Sequence, residues 1–411
     1  MSHPVVVMKF GGSSLATVDR IRLVAQRIAE RRKSGNDVVA VVSAQGDTTD
    51  DLLDLVRRLA PDPPAREVDM LLATGEQQSA ALIAAALSAL GVAAVSLTGW
   101  QAGIATDGNH RKARIHAVTP HGVRRALSAG RVAVVAGFQG ISGDRDITTL
   151  GRGGSDLTAV ALAESLGAGC EIYSDVAGVF TADPRIVPDA RLLPSIRYDE
   201  MMELAAMGAQ VLQGRAVEYG WQHGVAIRAL STFDDSPGTL VWEGSPMERL
   251  QSVTGVALDR NVSRVLCESV PDRPGSAAEI FGGLAQAGVN VDVIVQSPSR
   301  EGRTDIAFTM SDEDAETALE ITKVMLLRLG AEGATLDRDV AKVSVVGAGM
   351  LSRPGVASRA FRAIADAGVN IIAISTSEIK ISCLVRRDAA EAAARALHAA
   401  FDLALESSPS A

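Results

Sequence analysis

The chain has 411 residues, 47% hydrophobic and 22% charged, which describes a globular protein with room for about two to four domains rather than a disordered one. A formal charge of −9 without a basic stripe, and only 3% aromatic residues, argue against nucleic acid as a partner. Cys170, Cys267 and Cys383 are odd in number and widely spaced, which suits reduced buried thiols; Met1–Pro4 is short for a signal peptide and no apolar run reaches the roughly 18 residues of a membrane span, so a cytoplasmic setting is expected.

The apolar run Val5–Met8 predicts a buried parallel strand. Lys9, a turn at Gly11-Gly12 and Ser13-Ser14 as helix caps follow, then apolar residues at helical spacing over Val18–Ile28. Such a turn lets backbone N–H groups approach an anion beside the Lys9 charge. It fits an ordinary strand–turn–helix with a surface lysine equally well, and the Walker spacing is absent. Further strands are predicted at Val38–Val42, Ala93–Leu97, Val132–Ala136, Glu171–Tyr173 and Ala226–Ala229. Helices are predicted at Val18–Arg32, Asp50–Leu59, Glu76–Leu90, His121–Ala129, Ser155–Leu166 and Tyr198–Met207. This alternation means a mostly parallel sheet covered by helices, with ligands beyond the carboxyl ends of its strands.

Three more polar segments sit in this half. Ser43–Asp51 follows a strand and offers hydroxyls, or serves as a solvated turn with Asp50 capping the next helix. Leu72–Gln78 places Glu76 at the expected start of a long apolar helix, where the dipole alone would favour a carboxylate. Thr148–Thr158 carries Gly151, Gly153 and Gly154 around Arg152, with Ser155 at the expected cap. An ordinary turn rarely uses three costly glycines, and an arginine beside Asp156 suits a zwitterion: Arg152 for a carboxylate, Asp156 for an ammonium. Tyr173–Arg185 is dense in hydroxyls and acids; Ser174, Asp175, Thr181, Asp183 and Arg185 suit a nucleotide. There is no His/Cys cluster, so a metal would be Mg²⁺ held mainly by phosphates, with no protein metal site.

Turn-rich residues from Asp235 to Pro246 mark a boundary near 243–252. Beyond it Arg273-Pro274-Gly275 recurs as Arg353-Pro354-Gly355, Phe281 as Phe361 and Ala287–Asn290 as Ala367–Asn370, all at an offset of 80. A gapless repeat of that length means two copies of one small domain, each with a ferredoxin-like βαββαβ pattern. The first copy ends with a strand near Ala334–Leu336. The second lacks its fourth strand after the helix Ala389–Phe401, and Val253–Leu258 is available to supply it. The chain then divides as 1–245, 262–338, and 253–261 plus 339–405, the first copy lying inside the second.

Together, KFGGSS at Lys9–Ser14, GRGGSD at Gly151–Asp156, VFTADPR at Val179–Arg185 and the repeat resemble the aspartate kinases of the amino-acid-kinase family, with C-terminal ACT domains, over nearly the whole chain. The resemblance implies transfer of the γ-phosphoryl group of ATP to the β-carboxylate of L-aspartate, with Mg²⁺ on the nucleotide. It opens lysine, threonine and methionine biosynthesis under feedback control by lysine or threonine. Lys9, Phe10, Gly11 and Gly12 would hold the transferring phosphoryl group. Ser43, Thr49, Glu76, Arg152, Gly153, Gly154, Ser155 and Asp156 would hold aspartate. Ser174, Asp175, Phe180, Thr181, Ala182, Asp183, Pro184, Arg185 and position 210 would hold ATP. Lys9, Gly12, Arg152 and Asp156 would be catalytic. Gln210 stands where a lysine is common, with Arg215 nearby, and Gln213-Gly214 replaces a frequent His-Pro. Asp272, Pro274, Gly275, Ser276, Ala277, Asn290, Asp292 and Gln296, with Asn370 and Ile371 in the second copy, would bind effectors. ACT pairing implies at least a homodimer, and Met247 is a possible internal start for a smaller regulatory subunit. A kinase for another small carboxylate, such as glutamate or acetylglutamate, or for a nucleotide monophosphate, and a catalytically weak amino-acid sensor are the rival readings.

Overall fold

The computed structural model describes residues 3–206, 211–244 and 252–404, without the side chains of Leu351 and Ser352. Gln210 and Met247 lie outside the described residues. The described chain forms two compact units.

The first unit contains strands β1 (Val5–Phe10), β2 (Asp37–Val42), β3 (Ala94–Leu97), β4 (Ile104–Thr106), β5 (Ile115–Val118), β6 (Val132–Ala136), β7 (Gln139–Ile141), β8 (Ile147–Thr149), β9 (Gly169–Ser174), β10 (Ser195–Arg197), β11 (Ile227–Ser231) and β12 (Thr239–Trp242). Its helices are α1 (Val18–Lys33), α2 (Thr48–Leu59), α3 (Ala65–Ala89), α4 (His121–Ser128), α5 (Gly154–Leu166), α6 (Tyr198–Ala206) and α7 (Gly214–His223). The main sheet has the order β10-β12-β11-β9-β1-β2-β6-β3. All its pairings are parallel except β11 with β12. β1 is central because its side chains are apolar on both faces: Val6, Val7, Met8 and Phe10 are all buried. A smaller sheet, β5-β4-β7-β8, carries the chain to the arginine loop.

Several helix caps and starts differ from the sequence expectation, each for a local reason. α1 begins after a short 3-10 turn at Ser13–Leu15, capped by Thr17 Oγ1, which accepts from Arg20 N at 3.3 Å. Ser14 is buried instead, with its hydroxyl 2.7 Å from that of Thr232. α2 starts at Thr48, so Asp50 sits in its first turn rather than at its cap. α5 starts at Gly154, and the cap is Gly153 at φ 73°, so Ser155 lies inside the helix. The largest difference is α3, which begins eleven residues before Glu76 and places it in mid-helix, away from the dipole end. Gly75 conceals this continuity: a Cβ there would lie 2.8 Å from the Ala44 Cβ, so glycine serves close approach rather than a break.

The second unit holds two four-stranded sheets. One has the order β15-β16-β14-β17, from β14 (Ser263–Pro271), β15 (Ile294–Gln296), β16 (Arg303–Met310) and β17 (Gly333–Asp337), with α8 (Ser276–Gln286) and α9 (Ala315–Leu329). The other has the order β13-β18-β20-β19, from β13 (Gly255–Asp259), β18 (Val340–Val346), β19 (Ile371–Thr376) and β20 (Lys380–Arg386), with α10 (Val356–Asp366) and α11 (Ala390–Ala400). β13 pairs antiparallel with β18 across the whole intervening copy. Residues Phe180–Arg191, which the range 1–245 includes in the first domain, pack with this unit. Their apolar side chains explain it: Ala182 and Val187 are buried in one core with β18 and α11.

Candidate active site

The carboxyl end of β1 brings three segments together. Its own turn passes under the loop after β2: Ser43 N donates to Phe10 O at 3.1 Å, and Gly46 N to Gly12 O at 3.0 Å. A Cβ on Gly12 would stand 2.8 Å from Ala44 O, so this approach requires glycine. From below, Glu76 of α3 accepts from Ala44 N at 3.0 Å through Oε1. The first turn of α5 then delivers Asp156, whose Oδ1 lies 2.6 Å from Lys9 Nζ, with side chains 7% and 12% exposed.

This is a buried, charged cluster. Desolvation raises the Glu76 carboxyl to about 7, against smaller lowering effects from the Ala44 N–H and Lys9. Its Oε2 is buried with no partner among the described residues. Asp156 Oδ2 receives a long hydrogen bond from Gln213 N, 3.4 Å. Arg152 is exposed on its loop, and Ser43 and Thr49 are half-buried at the rim. A cation beside a backbone cradle, and an orphaned carboxylate oxygen, suit a phosphoryl group and an ammonium respectively.

Other expected residues have different duties. The Phe10 ring is fully buried and stacks on Tyr173 with centroids 4.8 Å apart. Ser174 Oγ receives Val176 N at 3.3 Å, and Asp175 is exposed. The Thr181 hydroxyl is taken up inside the second unit: it accepts from Arg191 N at 2.9 Å and meets His398 Nε2 at 2.9 Å. It is therefore unavailable as the nucleotide contact expected from the sequence. Asp183 and Arg185 pair with each other, 2.7 Å, which lowers the Asp183 carboxyl below its usual range. The Arg215 guanidinium donates to Leu150 O at 2.5 Å and Ala113 O at 3.2 Å. Among the described residues, no group of three His, Cys, Asp or Glu side chains can hold a metal.

Within the second unit, a cavity of about 370 Å³ opens at the first R-P-G turn. Asp272, Pro274, Gly275, Ser276, Ala277 and Gln296 line it. Asn290 is exposed outside the lining, and Asp292 pairs with the buried Lys342. In the second copy Asn370 is exposed and Ile371 half-buried.

Sequence reasoning missed Asp69, and it named Gln213 and Arg215 without the contacts they make. A buried carboxylate on a helix leaves no trace in hydrophobic spacing, and backbone partners leave none at all.

The family model of the amino acid kinases matches residues 4–227, and models of the ACT domain match residues 263–325 and 343–401. Fold and site thus define an amino acid kinase with two ACT domains. An aspartokinase of Mycolicibacterium smegmatis is 51% identical over 405 residues, covering 97% of this chain and 96% of the relative. E. coli aspartokinase III in complex with aspartate and ADP shares the fold with a TM-score of 0.79 at 25% identity, over 97% of this chain and 100% of that one. The same enzyme with lysine and aspartate gives 0.78 at 25% identity, over 97% and 99%. The chain belongs to the aspartokinase family.

Proposed function

We propose that this enzyme transfers the γ-phosphoryl group of ATP to the β-carboxylate of L-aspartate, giving 4-phospho-L-aspartate and ADP. The observation that carries the reading is the buried set Lys9, Asp156 and Glu76 at the end of β1, with the Glu76 Oε2 unpartnered among the described residues. The nucleophile is a carboxylate already ionised at neutral pH, so the site needs no general base. Positioning and charge stabilisation then do most of the chemistry. The Lys9 ammonium stabilises charge on the transferring phosphoryl group, cradled by the backbone of Gly11 and Gly12. Glu76 and Asp156 face the substrate ammonium, Arg152 clamps its α-carboxylate, and Ser43 and Thr49 close the rim. Ser174 and Asp175 take the nucleotide. Mg²⁺ bound with ATP would supply charge neutralisation at the nucleotide phosphates.

Lysine, threonine or both bind the cavity at Asp272–Ala277 and lower activity; its lining by a helix N-terminus at Ser276 and by Gln296 supports an amino-acid carboxylate there. E. coli aspartokinase III has been solved with lysine. The enzyme works in the cytoplasm, as a homodimer or larger through its ACT units, at the head of lysine, threonine and methionine biosynthesis. The test is ADP release from Mg·ATP with L-aspartate, L-glutamate and N-acetyl-L-glutamate, each with and without lysine plus threonine. Turnover confined to aspartate and lowered by the effectors is expected; turnover on glutamate instead would refute the substrate.

A further inference from the structure

The loop that carries Arg152 is intrinsically loose, with Gly151 and Gly153 both in the left-handed region at φ 77° and 73°. Two charged side chains of opposite sign hold its entry. Asp69, fully buried on α3, accepts from Thr149 Oγ1 at 2.6 Å, Thr149 N at 3.1 Å and Arg111 N at 3.0 Å, and meets His110 Nδ1 at 2.8 Å. One residue further on, Arg215 of α7 takes the Leu150 carbonyl at 2.5 Å. Both also grip the neighbouring segment, Asp69 through Arg111 N and Arg215 through Ala113 O. That segment in turn pairs with the loop entry, Ala113 N donating to Thr149 O at 3.0 Å. A fully buried carboxylate is costly unless several donors satisfy it, and here every donor belongs to this loop entry or to the segment beside it.

Asp69 stands two helical turns before Glu76, hence on the same face of α3. One rigid helix therefore sets both the carboxylate offered to the substrate ammonium and, through Thr149, the start of the arginine loop. We infer that Asp69 and Arg215 are positioning residues that fix Arg152 for the substrate α-carboxylate, an inference that rests on the role proposed above for Arg152. It predicts that loosening the clamp damages recognition of the amino acid and leaves the nucleotide side intact.

The experiment compares Asp69→Asn, Arg215→Met and the milder Thr149→Val, which keeps volume and loses one donor, in the full chain. Expected is a rise of about tenfold or more in KM for aspartate for the first two, with KM for Mg·ATP within about twofold of the parent. Thr149→Val gives a smaller rise of the same kind. In an Arg152→Gln background, Asp69→Asn adds little further, because both changes remove one clamp. Equal rises in both KM values, or a full additional penalty in the Arg152→Gln background, would show a latch for the fold alone and overturn the inference. Should Asp69→Asn fail to fold, Thr149→Val decides: an unchanged KM for aspartate overturns it. If Arg152→Gln itself leaves that KM unchanged, the role of Arg152 falls and the inference with it; if only the clamp variants are silent, the inference falls alone.

Discussion

The two units bury charge in opposite ways. In the second, Lys342 is only 4% exposed, yet its ammonium is matched by Asp292 and by Asp259 at 3.8 Å. In the first, the cluster at the end of β1 is also largely buried but left incomplete: among the described residues Glu76 keeps one oxygen without a partner, and Lys9 has a single carboxylate. Full matching stabilises a fold, whereas a deficit of partners is an opening for a ligand's charges. The difference separates structural from functional charge without reference to any relative.

The largest effect that tests this contrast is at Lys9. Lys9→Met should lower kcat by roughly 10²–10³, about 3–4 kcal/mol of transition-state stabilisation, with helix content by circular dichroism unchanged. A loss of folding in place of a loss of turnover would make Lys9 structural, like Lys342.

Glu76 gives the next largest. Its carboxyl sits near 7 in the free enzyme through desolvation, so it is largely protonated below that pH and cannot pair with an ammonium. The sign is then fixed: kcat/KM for aspartate rises with pH through about 7, by about tenfold per unit on the acid limb, and Glu76→Gln removes that limb. A profile that persists in the glutamine variant would assign the titration elsewhere.

At the matched pair the effect is on stability. Asp292→Asn leaves Lys342 buried with only the more distant Asp259; because Asp292 is half-exposed, the expected cost is about 1–2 kcal/mol rather than the full penalty of a buried pair. Lys342→Met should stay within about 1 kcal/mol of the parent, since an apolar side chain of similar length fills the site. Denaturant titration measures both.

The smallest expected effect comes from His398, buried beside Thr181, whose imidazole is held below its ordinary value by desolvation. The unfolded chain takes up a proton below about 6.5 while the folded one resists, so stability present above that pH is lost as pH falls. His398→Gln should flatten the acid side of the Tm–pH curve; an unchanged curve would place the loss in other groups.

Much of this was legible in the sequence because it depends on local pattern. β6 and the starts of α1, α4 and α6 follow directly from apolar spacing, and the parallel α/β class follows from their alternation. The start of α3 is not legible in the same way, because Gly75 breaks the apolar pattern although in space it only admits Ala44. The motif lysine, arginine and aspartate could be named from the chain, but their environment could not. That Glu76 is desolvated, that Phe10 and Thr181 turn inward, and that Arg215 grips carbonyls are consequences of residues far away in sequence. Position 210 was singled out by its departure from the family pattern and lies outside the described residues.

The most direct test of the central claim traps the product. An acyl phosphate reacts with hydroxylamine to give a hydroxamate, so the enzyme, Mg·ATP, L-aspartate and hydroxylamine should yield β-aspartyl hydroxamate in step with ADP, and the Lys9→Met variant almost none. ADP formation without hydroxamate, or a preference for γ-glutamyl hydroxamate when both amino acids compete, would contradict the account.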